Sequence, residues 1–313
     1  MRAALCLQPW LDAHSDLGDI MKTIRSLIAI LIVTAVGLGI AYLAGQGDER
    51  IFGHSVIFAC ALVAFGINWL VFIPSAMARS ERFYDLTGAI TYLSVTGVAA
   101  VSALPLDLRA SIVAALVAIW AVRLGSFLFL RIQKDGFDRR FDQIKTNPAR
   151  FLVTWTLQGL WVTLTAACAL MIISSETRLA PDLFFYAGLA LWVIGFGLEV
   201  IADGQKSAFR KDPENAGHFI TTGLWSWSRH PNYVGEIILW LGIAVMAIPV
   251  LNGWQWVVMI SPVFVYLLLT RLSGVPLLEK RGQEKWGDDP AYQAYCEKTP
   301  VLFPFGQSGK AAE

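Results

Sequence analysis

The stretch that decides the fold is 224–242, LWSWSRHPNYVGEIILWLG. It contains a basic pair, a proline, an asparagine and a glutamate. An apolar run follows without a break. A glutamate just inside a membrane helix is costly unless it is paired, so its presence points to a functional position. The stretch therefore predicts a membrane helix whose first turns carry a site.

The order of these residues predicts how the helix begins. Ser228 is suited to cap it, and Pro231 suits its first turn, where a missing N–H is no loss. Asn232 and Glu236 are four residues apart and therefore share one face of the helix. We expect these two side chains to act together.

Arg229 and His230 flank the predicted N-terminus of this helix. That end of a helix carries positive partial charge and free N–H groups, which favour a phosphate or another anion. The two side chains would add to this effect, so the sequence predicts an anion-binding site.

The composition predicts an all-α, polytopic membrane protein. Of the 313 residues 56% are hydrophobic and only 16% are charged, and the mean hydropathy is +0.55. A soluble domain of this size is less apolar. The scattered cysteines and histidines have no metal-ligand spacing, so we expect neither a disulfide nor a metal.

The apolar runs predict a bundle of seven or eight transmembrane helices in one domain, 21–313, after an N-terminal extension, 1–20. A bilayer-spanning helix needs about 20 residues. The run at 86–105 fits this requirement least because it is rich in glycine, serine and threonine. The eight runs are 24–44, 54–77, 86–105, 109–131, 151–174, 181–202, 233–250 and 253–272.

Lysine and arginine predict the orientation of the bundle. The loops 131–150 and 203–232 are rich in both, whereas the loops on the other side carry few. By the positive-inside rule the basic loops face the cytoplasm, of a bacterial inner membrane in our interpretation.

These two basic loops allow two interpretations. They could be ordinary cytoplasmic loops, with Asp203, Lys206 and Arg210 forming a solvated helix end on one face. Alternatively, they could clamp a polyphosphate ligand at the start of the helix near Pro231. We favour the clamp, since several cationic segments face the same compartment. No GxGxxG or P-loop motif is present, so helices and loops would hold a nucleotide.

Three segments carry a resemblance to a known family. GLWSWSRHPNYVGEIILWLG, the upstream GLEVIADGQKSAFRKD and the closing AYQAYCEKTPVLFPF resemble the membrane steroid 5α-reductases, especially a bacterial branch long described as a domain of unknown function. The likeness covers about residues 80–305. It implies a bundle of seven helices that holds NADPH on the cytosolic side and transfers hydride to the β-carbon of a lipid-like α,β-unsaturated ketone.

The resemblance also implies roles for residues. Asn232 and Glu236 fall at the nicotinamide end of the cofactor, and Asp85 falls near the group that binds the substrate ketone. The cofactor-binding residues that the resemblance implies are Arg131, Lys134, Asp203, Arg210, Asn232 and Glu236. To these our own interpretation adds Lys206, Arg229, His230 and Tyr233. The predicted catalytic residues are Glu236, Asp85 and, by our own interpretation, Tyr92.

The chain also departs from the family pattern. Glu199 stands where the family has an asparagine, and the family's histidine and tyrosine near the last helix have no clear match. Arg271, Glu279 and Lys280 lie in that neighbourhood. These departures concern the substrate more than the cofactor.

The RHPNY block is also similar to one in isoprenylcysteine carboxyl methyltransferases, which bind S-adenosylmethionine at the corresponding place. A membrane methyltransferase is therefore the alternative function. NADPH carries phosphates and S-adenosylmethionine carries none, so the basic loops favour NADPH. The partners expected for a reductase are a lipophilic steroid or isoprenoid enone and membrane lipids, without nucleic acid.

Overall fold

The computed structural model describes residues 2–46, 50–51, 53–138 and 141–303, and it is predominantly helical. The α-helices are α1 (Arg2–Ala44), α2 (Val56–Met77), α3 (Tyr84–Ser102), α4 (Leu108–Asp135), α5 (Pro148–Ser174), α6 (Leu183–Lys211), α7 (Pro231–Ala247), α8 (Ile260–Leu267), α9 (Gly274–Trp286) and α10 (Pro290–Lys298). Two strands of two residues each, β1 (Arg50–Ile51) and β2 (His54–Ser55), form an antiparallel pair. The expected all-α membrane bundle is confirmed.

Within the described residues, seven helical segments are long and apolar enough to cross a membrane. They are Ile20–Ala44, Val56–Met77, Leu108–Lys134, Pro148–Ser174, Leu183–Lys211, Pro231–Val250 and Gly253–Trp286. The eighth predicted run, 86–105, does form helix α3, but this helix is not among the seven. Its glycines and hydroxyl residues lower its hydrophobicity, and the seven segments agree with the lower end of the predicted range of seven or eight.

The chain divides into two compact units. Unit 1 contains the described residues up to Arg178 together with Leu251–Val258, and its helices are α1 to α5. Helix α5 is the core of this unit because nearly all of its side chains from Trp155 onward are buried. Helices α1, α2, α3 and α4 all pack against it.

Polar side chains connect the helices of unit 1 in its apolar interior. Trp69 donates its indole N–H to the hydroxyl of Thr156 at 3.0 Å. Asn68 donates to Thr91 at 3.4 Å. In an apolar medium such bonds align helices because an unpaired polar group is costly there. At the α3–α4 turn, Asp107 caps α4 through the N–H of Ala110.

Unit 2 contains α6 to α10, and its centre is the close pair α6 and α7. Glycines set the separation of these two helices. A Cβ atom added to Gly235 would lie 2.5 Å from the carbonyl oxygen of Gly195 and 2.6 Å from the backbone nitrogen of Glu199. Because only glycine fits there, the backbones approach closely.

The last predicted run, 253–272, is not one continuous α-helix. It consists of a 3₁₀ segment (Gly253–Met259), the short helix α8 and a π-helical turn (Leu268–Leu272). Further 3₁₀ turns occur at Pro213–Asn215, Gly223–Ser226 and Ile248–Val250. A π turn inserts an extra residue and often accompanies functional sites.

Candidate functional site

Helix α7 begins at Pro231, as predicted, with His230 as its N-cap residue. The expected cap by Ser228 is wrong. The Ser228 hydroxyl accepts from the N–H of His230 at 3.2 Å and donates to the carbonyl of Val301 at 3.3 Å. Ser228 therefore fixes the loop before the helix and leaves the first N–H groups of the helix without a side-chain cap.

Glu279 of α9 joins the two basic residues at this helix start. Its Oε2 atom lies 2.5 Å from Nη1 of Arg229, and its Oε1 atom lies 2.7 Å from Nε2 of His230. These two side chains were expected to face an anionic ligand, and the structure pairs both with a carboxylate of the protein. The carboxylate holds them beside each other at the N-terminus of α7.

Burial governs the charge of His230. Removal from solvent lowers the pKa of its imidazole, and the hydrogen bond to Glu279 offsets this effect only in part. A neutral ring that donates from Nε2 to Glu279 has an acceptor at Nδ1. This buried Nδ1 atom has no hydrogen-bond partner in the protein, and neither has the buried Nε atom of Arg229.

Buried acidic side chains gather on α6 and α7. Glu236 is 8% exposed, Asp203 6% and Glu199 2%. Asn232 is half-buried, one turn before Glu236. Glu199 and Gly235 meet where the two helices cross, so the acidic residues belong to the closest part of the α6–α7 contact.

The exposure of the cationic side chains of α6 increases along its last turns. Lys206 is half-buried, and its ammonium lies 4.3 Å from the ring centroid of Trp225, within the range of a cation–π contact. Arg210, one turn further, is exposed. The helix is continuous to Lys211, so the predicted extension beyond residue 202 is confirmed.

The closing segment of the chain supports the loop before α7. The Tyr295 hydroxyl donates to the carbonyl of Trp225 at 2.7 Å, and the N–H of Arg229 donates to the carbonyl of Pro300 at 2.9 Å. Burial raises the pKa of Tyr295, which keeps this phenol a donor at neutral pH. The closing segment and the loop before α7, although far apart in sequence, are thus hydrogen-bonded to each other.

The predicted substrate residues lie in unit 1. Asp85 and Tyr92 line a cleft between α3 and α4, whose space between atoms is about 310 Å³ when the part open to the surroundings is counted. Helix α5 contributes Trp161 to the lining of this cleft. Oδ2 of Asp85 lies 3.8 Å from Nη2 of Arg131, so the residue expected to meet phosphates is instead close to the expected substrate residue. Lys134 is exposed on the next turn.

The structure thus assembles the predicted residues into two groups, one in each unit. The group in unit 2 contains Asp203, Lys206, Arg210, Arg229, His230, Asn232, Tyr233 and Glu236, and the group in unit 1 contains Asp85, Tyr92, Arg131 and Lys134. Sequence reasoning missed the role of Glu279, about 50 residues from its partners. Among the described residues, no three His, Cys, Asp or Glu side chains lie close enough to hold a metal.

One known protein family matches most of the chain. The profile of the family described as "Protein of unknown function (DUF1295)" matches residues 71–299, which is more than half of the chain. The matched range contains both groups of predicted site residues.

Several characterised and uncharacterised proteins are similar to the chain. An uncharacterized protein of Schizosaccharomyces pombe is 26% identical over 229 residues, 63% of each chain. Steroid 5-alpha-reductase DET2 of Gossypium hirsutum is 36% identical over 121 residues, which cover 39% of this chain and 42% of that protein.

The rat protein 3-oxo-5-alpha-steroid 4-dehydrogenase 1 is 25% identical over 166 residues, covering 52% of this chain and 59% of the rat protein. The chain therefore spans less than two thirds of the length of each of these three relatives. No solved structure matches it.

Proposed function

The chain belongs to the DUF1295 family and is related to the steroid 5-alpha-reductases, and we propose that it is a membrane-embedded, NADPH-dependent reductase. Its reaction would transfer hydride to the C=C bond of a lipophilic α,β-unsaturated ketone with a steroid-like 3-oxo-Δ4 arrangement. The observation that carries the proposal is the start of α7. Buried Glu236 and half-buried Asn232 lie there just past Arg229 and His230.

The residues of unit 2 fit a dinucleotide phosphate. The buried Nε–H of Arg229 has no acceptor in the protein, and phosphate oxygen is one of the strong acceptors for guanidinium groups. The Nδ1 atom of His230 likewise has no donor from the protein. A bound ligand is one way in which such orphaned buried groups are satisfied.

We assign parts of the cofactor to residues by their chemistry. Lys206, Arg210 and Arg229 would hold the phosphates. Asp203 would accept from hydroxyl groups, while Asn232 and Glu236 would hold the carboxamide of the nicotinamide. Tyr233, whose ring stacks on His230 at 5.6 Å, would complete this wall.

Arg131 and Lys134 of unit 1 were expected to meet phosphates as well. Lys134 is exposed and keeps that role in the proposal. Arg131 is the cation beside Asp85, which gives it a second task. It would fix the carboxylate at the mouth of the cleft.

The chemistry that NADPH supplies when bound is a hydride. The protein contributes binding, orientation and exclusion of water. In the unit 1 cleft, the Tyr92 hydroxyl would donate to the enone carbonyl, so that negative charge gained by the oxygen during reduction is stabilised. Asp85 would orient a polar group of the substrate by accepting a hydrogen bond. Hydride added to the β-carbon would leave an enolate, and a proton taken up at its α-carbon would complete the reduction. The apolar cleft walls would limit the access of water to this enolate.

The proposed cofactor face predicts the effect of replacing its carboxylate. Glu236→Gln keeps the size of the side chain and removes its charge, so enone reduction should fall at least about 100-fold while the protein stays folded. The measurement is oxidation of NADPH by the purified protein in the presence of a steroid enone. The matched control is Glu214→Gln, at an exposed position of the 3₁₀ turn after α6.

Near-normal reduction by the Glu236→Gln variant would remove Glu236 from the site. A loss of the same size in the Glu214→Gln control would show that activity falls when any negative charge is removed from unit 2, and that Glu236 has no specific role. A folded wild-type protein that transfers a methyl group from S-adenosylmethionine, and does not oxidise NADPH, would replace the reductase with the methyltransferase.

A further inference from the structure

The walls of the unit 1 cleft are almost entirely apolar. Ala89, Leu124 and Leu128 contribute hydrocarbon, and Gly88 and Gly125 contribute backbone. The remaining lining residues are Asp85, Tyr92, Trp120, Ala121 and Trp161. A ligand of this cleft is therefore mainly hydrophobic and can form few hydrogen bonds.

One of these bonds is offered by Trp161. Its indole Nε1 atom is buried and has no hydrogen-bond partner in the protein. Two other indoles are satisfied: Trp69 donates to the hydroxyl of Thr156, and Trp225 donates to the carbonyl of Ala202 at 3.0 Å. The buried indole of Trp155 has no hydrogen-bond partner either, but Trp155 does not line the cleft. Buried indole N–H groups normally find an acceptor, so an unsatisfied one on the wall of a cleft implies an acceptor from a ligand.

Aromatic packing holds the indole of Trp161 in place. The ring of Tyr92 meets Trp161 edge-on with a centroid distance of 6.2 Å, and it meets Trp120 in the same manner at 5.0 Å. Tyr92 and Trp120 are almost fully buried. A donor fixed by such packing needs little reorganisation when a ligand binds.

We propose that the Trp161 indole N–H donates a hydrogen bond to the carbonyl oxygen of the ligand in this cleft and selects ketones over hydrocarbons of the same shape. The inference rests on the proposed function in taking a steroid-like enone as the ligand. Indole is a donor only, and the carboxylate of Asp85 beside Arg131 accepts hydrogen bonds but donates none. A carbonyl oxygen has two lone pairs, so it can accept from the Tyr92 hydroxyl and from the indole of Trp161, and Trp161 adds to the discrimination against ligands that lack an acceptor.

The test compares two steroids, androst-4-en-3-one and its carbonyl-free counterpart androst-4-ene, in equilibrium binding to the detergent-solubilised full chain. Trp161→Phe should weaken binding of the ketone about tenfold, equivalent to about 1.4 kcal/mol, and leave the hydrocarbon unchanged. The matched control is Trp69→Phe, which loses an indole bond inside unit 1 but is not part of the cleft wall. It should leave the ratio of the two affinities as in the wild type.

The proposal is overturned if Trp161→Phe weakens both steroids equally or neither, or if the wild type does not prefer the ketone. Should Trp161→Phe fail to fold, benzothienylalanine at position 161 replaces the N–H with sulfur at nearly constant shape. NADPH binding is measured in the same samples. Loss of NADPH binding tests the cofactor assignment, and the change in steroid preference tests the Trp161 assignment, so the two can fail separately.

Discussion

At the scale of single residues, the start of α7 is organised by a carboxylate from a distant part of the chain. Glu279 holds Arg229 and His230 together, and each of these two retains a buried nitrogen without a protein partner. Glu279 thus fixes both side chains and leaves hydrogen-bonding capacity free on each. The Nε–H group of Arg229 suits an anion, and the Nδ1 acceptor of the neutral His230 ring suits a donor.

Local sequence predicted one part of this arrangement and not the other. Pro231 specifies the helix start because its ring and its missing N–H suit only the first turn. The role of Ser228 was mispredicted because the carbonyl of Val301, 73 residues away, takes its hydroxyl. The pairing of Glu279 was missed for the same reason, since no local spacing encodes such a contact.

The burial of His230 predicts a pH dependence of stability. Histidine in the unfolded chain has a pKa near 6.5, and burial lowers the pKa in the folded state despite the hydrogen bond that the ring donates to Glu279, with Lys206 and Arg229 adding to the decrease. Below about pH 6.5 the unfolded chain therefore binds more protons than the folded one. The stabilisation is fully present above that pH and is lost as the pH falls below it.

His230→Gln keeps a donor for Glu279 and removes the titrating ring, so its thermal stability should fall less between pH 7 and pH 5 than that of the wild type. The measurement is the melting temperature in detergent across this range. His218→Gln, at an exposed position, serves as the control and should follow the wild type. An identical acid response of wild type and His230→Gln would contradict the assignment.

At the scale of elements, the α6–α7 crossing positions the acidic residues. Glycines on both helices allow backbone contact, and Glu199 and Glu236 lie directly at this contact. The spacing of these residues along each helix is visible in the sequence. The sequence does not show which helix each glycine faces, because that depends on which helix packs against it.

The crossing predicts that Gly235 tolerates no side chain. Gly235→Ala would force backbone atoms apart and should destabilise the protein by about 2 kcal/mol, despite the better helix propensity of alanine. Gly197→Ala, on α6, is the control because an added Cβ atom meets nothing within 4 Å. It should leave the melting temperature unchanged or slightly higher. Equal melting temperatures for both variants would argue against tight packing at Gly235.

Helix α3 shows where hydrophobicity alone misleads. The run 86–105 was long enough to suggest an eighth span, and its glycines and threonines suit packing inside unit 1 instead. Thr87 and Thr91 direct their hydroxyls to carbonyls of their own helix, as is usual for hydroxyl residues in apolar surroundings. Composition predicted this helix, and its packing explains why it is less apolar.

At the scale of the whole molecule, the sequence predicted the class of fold and the family, because the apolar runs and the RHPNY block are both local signals. The closing motif was recognised only as part of the resemblance. The structure gives it a physical task, since Tyr295 and Pro300 bond to the loop before α7. The cytoplasmic orientation and the division of the chain at residue 20 stay predictions.

The central claim is that unit 2 binds a reduced dinucleotide through Asn232, Glu236 and the neighbouring cations. The most direct test is thermal stabilisation of the purified full chain by NADPH, NADH and S-adenosylmethionine at equal concentrations. A ligand at about 100 times its Kd adds about 2.7 kcal/mol of stability. The account predicts that NADPH raises the melting temperature most, NADH less and S-adenosylmethionine not at all. Stabilisation by S-adenosylmethionine without any by NADPH would contradict it.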